Sequence, residues 1–176
     1  DQKKERFIKD YSLNTYEATV LVSEKEISDY FEEVVKTSDI KLAKNWIMGD
    51  LFASLNDKNI SISDSPVTAK KMAQLINSIS SGIISGRTAK EVFEEIKETG
   101  EEPNKIIESK GLQQKSDPKE LEGIVDQIIN QNKDKVEQYK SGKEKLFGFF
   151  VGQVMKISGG KANPQIVNEI LKKKLK

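Results

Sequence analysis

The chain has 176 residues, of which 32% are charged and 36% hydrophobic, and its formal net charge is +1. It contains no Cys and no His, which excludes disulfides, zinc sites of the usual kind, and catalysis by a thiol or an imidazole. No apolar run of about 18 residues occurs, so we expect no membrane span and a cytoplasmic protein.

Helix signals begin at Ser23 and recur along the chain. Ser23 and Glu26 form a capping-box pattern ahead of an apolar stripe at helical spacing, which predicts a helix there. Asp39 is a candidate N-cap for the next helix, whose apolar side runs on to Leu55. Trp46 lies on that apolar side, so we expect it to pack in the core and not to stack on a ligand.

The middle of the chain alternates loop and helix signals. Residues 56–66 are rich in Asn, Asp and Ser and are typical of a loop. Thr68 is a candidate helix start and Gly82 the corresponding stop. Two further helices are predicted, at about 88–98 with Gly100 as its stop and at 104–109 with Gly111 as its stop.

A domain joint is predicted at residues 112–116. Beyond it, Asp117-Pro118 and Asn163-Pro164 each combine an N-cap residue with a proline at the first helical position. Alternating strand patterns and hairpin turns are lacking. The sequence therefore predicts an all-α fold with two small helical bundle domains in tandem, residues 1–114 and residues 115–176. The chain begins at Asp1 and not at methionine, so we expect a longer parent protein.

The small net charge hides an asymmetry between the two predicted domains. From Lys115 onward there are 13 Lys against 8 Asp and Glu, and over residues 138–176 there are 9 Lys against 2 acidic residues. The lysines at 172–174 and 176 end the last helix, where they could simply complement the helix dipole. Other lysines belong to separate segments with few acids, and a shared surface of this kind would suit phosphates.

The helix predicted around Leu146–Met155 is unusually rich in glycine and phenylalanine. Gly148 and Gly152 are four residues apart on one helical face, which predicts close approach by another helix or by a ligand backbone; we favour the helix. Phe147, Phe149 and Phe150 cannot all face one side, and two of them are expected in the core.

No residue pattern indicates catalysis. The carboxylate pairs, such as Glu32-Glu33 and Glu94-Glu95, lie opposite apolar stripes, where carboxylates are normally solvated. Gly159-Gly160-Lys161 lacks the spacing of a phosphate-binding loop and is followed by Ala162. We therefore expect no catalytic residue, no cofactor-binding residue and no metal site in this chain.

The stretch GKEKLFGFFVGQVMKISGGKANPQIVNEIL at 142–171 closely resembles the end of the B subunit of bacterial and organellar aspartyl/glutamyl-tRNA amidotransferases, whose last unit is similar to the YqeY proteins. Three shorter stretches support the resemblance in the right order: DYFEEVV at 29–35, NWIMGDL at 45–51 and SGRTAKEVFEE at 85–95. Members often carry lysine where this chain has Gly159, which leaves the turn more dependent on Lys161.

The resemblance implies a division of labour. The family's enzyme amidates Glu-tRNA(Gln) or Asp-tRNA(Asn) with ATP, Mg²⁺ and ammonia from glutamine. The A subunit hydrolyses glutamine, the N-terminal cradle domain of the B subunit uses ATP to activate the carboxylate, and the C-terminal helical and tail domains hold the tRNA. The chain would be that last, non-catalytic part. Its implied partners are tRNA(Gln), tRNA(Asn) or both, together with the A and C subunits of the heterotrimer.

Together, charge and resemblance predict a tRNA-facing surface in the YqeY-like tail domain. Its predicted members are four lysines and two polar residues at the turn before the last helix: Lys143, Lys145, Lys156, Lys161, Asn163 and Gln165. An alternative stays open, in which the chain is a helical protein–protein interaction module that uses its acidic body, and the lysines only solvate the tail.

Overall fold

The computed structural model describes all 176 residues and contains helices but no strands, which confirms the all-α prediction. The only β-type pairing is an isolated bridge between Lys115 and Ala162. The chain forms two compact units, Asp1–Gly111 and Leu112–Lys176. None of the helices has the length and apolar composition that a membrane span requires.

The first unit begins with α1 (Gln2–Tyr11), α2 (Thr15–Val22), α3 (Lys25–Val35) and α4 (Ile40–Trp46). One π-helical turn, Ile47–Leu51, joins α4 to α5 (Phe52–Lys58). A 3₁₀ turn at Ile62–Asp64 leads to α6 (Ala69–Ser80), α7 (Gly86–Thr99) and α8 (Pro103–Lys110). The core of this unit is formed by the buried stripes of these helices, with Phe7, Phe31 and Phe93 among its largest side chains.

The first capping box lies at Asn14 and not at Ser23, so the sequence-based prediction of its position was wrong. The Asn14 side chain accepts a hydrogen bond from the Glu17 N–H at 2.8 Å, and the Asn14 N–H donates to the Glu17 carboxylate at 3.0 Å. Ser23 instead ends α2, where its hydroxyl donates to the Val20 carbonyl at 2.7 Å. Helix α3 starts after Glu24 without a side-chain cap, because Ser23 is still within the end of α2.

Replacing Asn14 by Ala is expected to lower the free energy of unfolding by about 1 kcal/mol, because the substitution removes the side-chain half of a reciprocal cap. Chemical denaturation followed by circular dichroism measures the change. Ser23→Ala is the matched control, and we expect it to stay within about 0.5 kcal/mol of the unchanged chain. A larger loss for Ser23→Ala than for Asn14→Ala would contradict the capping assignment.

The remaining sequence signals of the first unit are largely confirmed. The Asp39 carboxylate caps α4 by accepting from the Leu42 N–H at 2.8 Å, and the Thr68 hydroxyl accepts from the Lys71 N–H at 3.3 Å to cap α6. Gly100 and Gly111 end α7 and α8 in the left-handed region, with φ of 72° and 60°. The expected loop at 56–66 is shorter than predicted, because α5 continues to Lys58 and a 3₁₀ turn follows.

Two of the stretches that carry the family resemblance meet beside the π-helical turn. Trp46 is buried, as expected, with 6% of its surface exposed. The Lys90 ammonium from α7 lies 4.7 Å from the centroid of the Trp46 ring and 2.7 Å from the Asp50 carboxylate. Asp50 lies within the π-helical turn, and its carboxylate pairs with Lys90 of α7. The contact joins the two segments and buries the indole.

The second unit consists of α9 (Pro118–Gln131), α10 (Lys133–Lys140), α11 (Leu146–Ile157) and α12 (Pro164–Lys174). Asp117 and Asn163 cap α9 and α12, each followed by proline, as predicted. Helices α9, α11 and α12 enclose one core, whose buried residues are Leu121, Val125, Ile128, Phe150, Val154, Ala162, Val167, Leu171 and Leu175. Helix α10 has no fully buried residue and covers this core from outside, through Val136 and Tyr139.

Candidate nucleic-acid interface

The predicted tRNA-facing residues lie at the two ends of α11 and in the turn that follows it. Lys143 and Lys145 are exposed just before α11, and Lys156 is exposed in its last turn. Lys161 and Asn163 are half-buried in the turn between α11 and α12, and Gln165 is exposed at the start of α12. The structure therefore brings the last three close together, and places Lys143 and Lys145 at the opposite end of α11.

The turn at 158–163 is held by backbone geometry that only glycine supplies easily. Gly159 and Gly160 both adopt positive φ, 64° and 79°, and the Gly160 N–H donates to the Met155 carbonyl at 2.8 Å to close α11. The buried Ser158 hydroxyl accepts from the Ala162 N–H at 3.1 Å. Any other residue would be strained at either position, whereas glycine adopts this conformation easily.

The same turn is tied to the segment that precedes α9. The Lys115 N–H donates to the Lys161 carbonyl at 2.6 Å, and the Asn163 N–H donates to the Lys115 carbonyl at 2.9 Å. The Asn163 side chain accepts from the Gln165 N–H at 3.1 Å and donates to the Ser116 hydroxyl at 3.3 Å. Asn163 thus has a structural role as a helix cap and a tether, and a direct contact with RNA stays a prediction.

The lysines of the second unit differ in whether a carboxylate neutralises them. Lys174 lies 2.9 Å from both Glu122 and Asp126, and the hydrogen bonds to these carboxylates raise its pKa above the ordinary value. No ion pair involves Lys143, Lys145 or Lys156. Lys174 of the terminal run therefore has a structural role in ion pairs, whereas Lys143, Lys145 and Lys156 have no carboxylate partner within the chain.

The outer face of α11 carries lysines but no carboxylate. With 3.6 residues per turn, Lys145, Gly152 and Lys156 lie on the side opposite Phe150 and Val154, which are fully buried. The two lysines are separated by 11 residues, or about 17 Å along a helix. This spacing produces an elongated positive strip and not a point site.

Lys135 is a further cation beside this face that the sequence analysis missed. Its ammonium lies 3.8 Å from the centroid of the Phe149 ring, close enough for a cation–π contact. No sequence pattern predicts this contact, because Lys135 lies on α10 and Phe149 on α11. Asp134 and Glu137 of α10, next to Lys135 and Val136 in the chain, are exposed.

One expectation about α11 was wrong. An added Cβ at Gly148 or at Gly152 would meet no atom within 4 Å, so no helix of this chain packs against the glycine pair. Of the three phenylalanines, Phe150 is fully buried, and Phe147 and Phe149 are partly buried and pack against the same core. Phe147 also lies beside Tyr139, and Phe149 lies beneath Lys135.

The arrangement is suited to binding an extended polyanion. It offers ammonium groups at both ends of one helix, and a hydrogen-bonded turn at the second end with amide side chains beside it. No group of three or more His, Cys, Asp or Glu side chains is placed to hold a metal ion.

Comparisons with known proteins agree on one family. A family model described as "GatB domain" matches residues 29–175. The B subunit of the aspartyl/glutamyl-tRNA(Asn/Gln) amidotransferase of Pelagibacter ubique is 59% identical over 99% of this chain, which corresponds to 36% of that protein. The proteins of the same name from Nitrosococcus oceani and Rickettsia conorii are 50% and 47% identical, each over 99% of the chain and 37% or 36% of their own length. The chain thus spans about a third of the length of these relatives.

Proposed function

We propose that the chain, which belongs to the GatB domain family, is the C-terminal, tRNA-holding part of an amidotransferase B subunit. The parent enzyme would convert Glu-tRNA(Gln) to Gln-tRNA(Gln), Asp-tRNA(Asn) to Asn-tRNA(Asn), or both. The observation that carries the proposal is the strip of exposed lysines without ion-pair partners along α11 of the second unit.

The two units differ in a way that supports this assignment. Several basic residues of the first unit are paired with local carboxylates, as in Lys44–Glu17 at 2.8 Å and Lys110–Glu95 at 3.0 Å. From Lys115 onward, positive charges exceed negative ones by five. A phosphate backbone is the partner that such an excess favours, since binding releases its condensed counterions. The lysines would hold the RNA by its backbone and shape, with Asn163 and Gln165 at the rim.

Chemistry would take place elsewhere in the parent protein. We propose that ATP and Mg²⁺ bind outside this chain and that glutamine is hydrolysed by a separate A subunit. The relatives are named as B subunits, which supports assembly with other subunits, and we propose the A and C subunits as those partners. The contribution of this chain to the rate would be positioning, because bound tRNA presents its end to the remote site at high effective concentration.

Binding of a tRNA(Gln) transcript to the full chain is expected to weaken steeply as salt rises. Each neutralised phosphate contributes about −0.7 to −0.9 to the slope of log affinity against log salt, so Lys143, Lys145 and Lys156 alone predict roughly −2 to −3. Fluorescence anisotropy over a salt series measures the slope. Absence of binding, or binding that does not depend on salt, would contradict the proposal.

One observation favours a second candidate, a protein-docking role for the first unit. A cleft of about 300 Å³ opens there between α3 and α5, lined in part by Ile27, Phe52 and Ile60. The lining also includes Glu24, Asn56 and Ser61, and a cleft of this mixed kind on an acidic unit would suit a segment of a protein partner. Salt-independent capture of the A or C subunit by the full chain, without tRNA affinity, would favour this candidate over the first.

A further inference from the structure

The outer face of α11 contacts no other helix of the chain and has two glycines at its centre. Gly148 and Gly152 are both exposed, and nothing lies within 4 Å of where their Cβ atoms would be. Glycine destabilises a helix interior relative to almost any other residue, and here packing within the chain does not compensate that cost. Packing within this chain therefore does not explain why the face carries two glycines.

We propose that this face is the seat of the RNA sugar–phosphate backbone, with Gly148 and Gly152 allowing the RNA to approach the helix backbone directly. The inference rests on the proposed function and deepens it, because it assigns the docking surface to specific residues. The glycines determine how close the RNA can come, and the flanking lysines provide the attraction.

Charge complementarity identifies the occupant. Lys145 and Lys156 lie at the two ends of the glycine pair on the same face, and Lys135 is held beside it over the Phe149 ring. Phosphates repeat at short intervals along a nucleic-acid strand, so a strand running along α11 would meet both end lysines at once. Close approach also strengthens each lysine–phosphate contact, since Coulomb attraction falls with distance and with intervening water.

A second helix is the other occupant that a pair of glycines four residues apart could accept, since small residues at this spacing let helices approach closely. The lysines at both ends of the pair favour RNA over a helix. A neutral helix in this position would take the ammonium groups out of water without offering them a carboxylate.

The test substitutes Gly152 by Gln, and Gly148 by Gln, in the full chain. Glutamine is a good helix former that adds bulk without charge, so the Tm is expected to stay the same or rise. Affinity for a tRNA(Gln) transcript is expected to fall about tenfold or more, because displacing the strand breaks at least one charge-assisted hydrogen bond. Gly123→Gln is the matched control: Gly123 is also exposed, lies within α9 and has no atom within 4 Å of its Cβ position.

The outcomes separate this inference from the proposed function. Wild-type affinity for the Gly152→Gln and Gly148→Gln chains, alongside lost affinity when the lysines are replaced, overturns the docking face and leaves the tRNA-holding role standing. Wild-type affinity for both sets of variants overturns both. An equal loss with Gly123→Gln, or a Tm that drops for the α11 variants, shows that the glycines serve the fold and overturns the inference. Lost binding of the A or C subunit with unchanged tRNA affinity assigns the face to a helix and overturns it too.

Discussion

The triple variant Lys143→Gln, Lys145→Gln, Lys156→Gln is expected to bind a tRNA(Gln) transcript about a hundredfold more weakly than the unchanged chain near 0.1 M salt. The three ammonium groups are exposed and have no carboxylate partner within the chain, so their charge is available to phosphates. Losing three phosphate contacts should also flatten the salt dependence by roughly two to three charge units. Fluorescence anisotropy across a salt series gives both quantities.

Two controls show whether tRNA affinity depends on the lysines beside α11 or only on the net charge of the chain. Lys9→Gln, Lys41→Gln, Lys58→Gln makes the same change in net charge on exposed lysines of the first unit and should leave tRNA affinity nearly unchanged. Replacing the three α11 lysines by Arg should retain most of the affinity, because guanidinium also binds phosphate. Exposed lysines normally contribute within about 0.5 kcal/mol each to stability, so all variants should stay folded. Equal losses in both triple Gln variants would mean that only net charge matters.

Phe150→Ala is expected to destabilise the second unit by about 3–5 kcal/mol, since it removes a fully buried ring and leaves a cavity. The free energy of unfolding of a single domain is only roughly 5–15 kcal/mol, so this substitution should remove most of the stability of the second unit. The ring belongs to the core shared by α9, α11 and α12. Far-ultraviolet circular dichroism should show early loss of part of the helical signal, and tRNA binding should disappear with it.

Tryptophan fluorescence reports on the first unit alone, because Trp46 is the only tryptophan and lies in that unit. It therefore shows whether the loss of stability is confined to the second unit. Its fluorescence midpoint in denaturant should move much less than the circular dichroism midpoint. Phe149→Ala is the matched control: its ring is half-exposed beneath Lys135, so a much smaller loss is expected. A Phe149→Ala variant as unstable as Phe150→Ala would show that the core assignment within α11 is wrong.

The sequence is enough to propose a set of residues that would face tRNA, but it does not reveal how the fold arranges them. The excess of lysine after residue 138 is visible in the sequence, and the family resemblance links it to tRNA. The Asn163 side chain forms hydrogen bonds with the Gln165 N–H and the Ser116 hydroxyl. The sequence does not reveal the bond to Ser116, because the two residues are 47 positions apart. It equally does not reveal that Lys135 contacts Phe149, since that contact exists only once α10 lies against α11.

Features that depend on near neighbours could be predicted from the chain alone. The caps at Asp39, Thr68 and Asp117, and the left-handed ends at Gly100 and Gly111, involve groups within a few residues of one another, so their patterns are complete in the sequence. The wrong prediction at Ser23 shows where local patterns fail. Ser23 has the neighbours of an N-cap, but α2 extends to Val22 and Ser23 is its C-cap.

Helix packing selects which side of each helix is buried and which charges are paired. Helix α11 is apolar on most of its circumference, and nothing local selects Phe150 over Phe149 for the core. Lys174 is neutralised by Glu122, 52 residues away, while Lys156 is not. Burial and ion pairing both depend on contacts between segments distant in the chain, and those contacts form only when the helices pack.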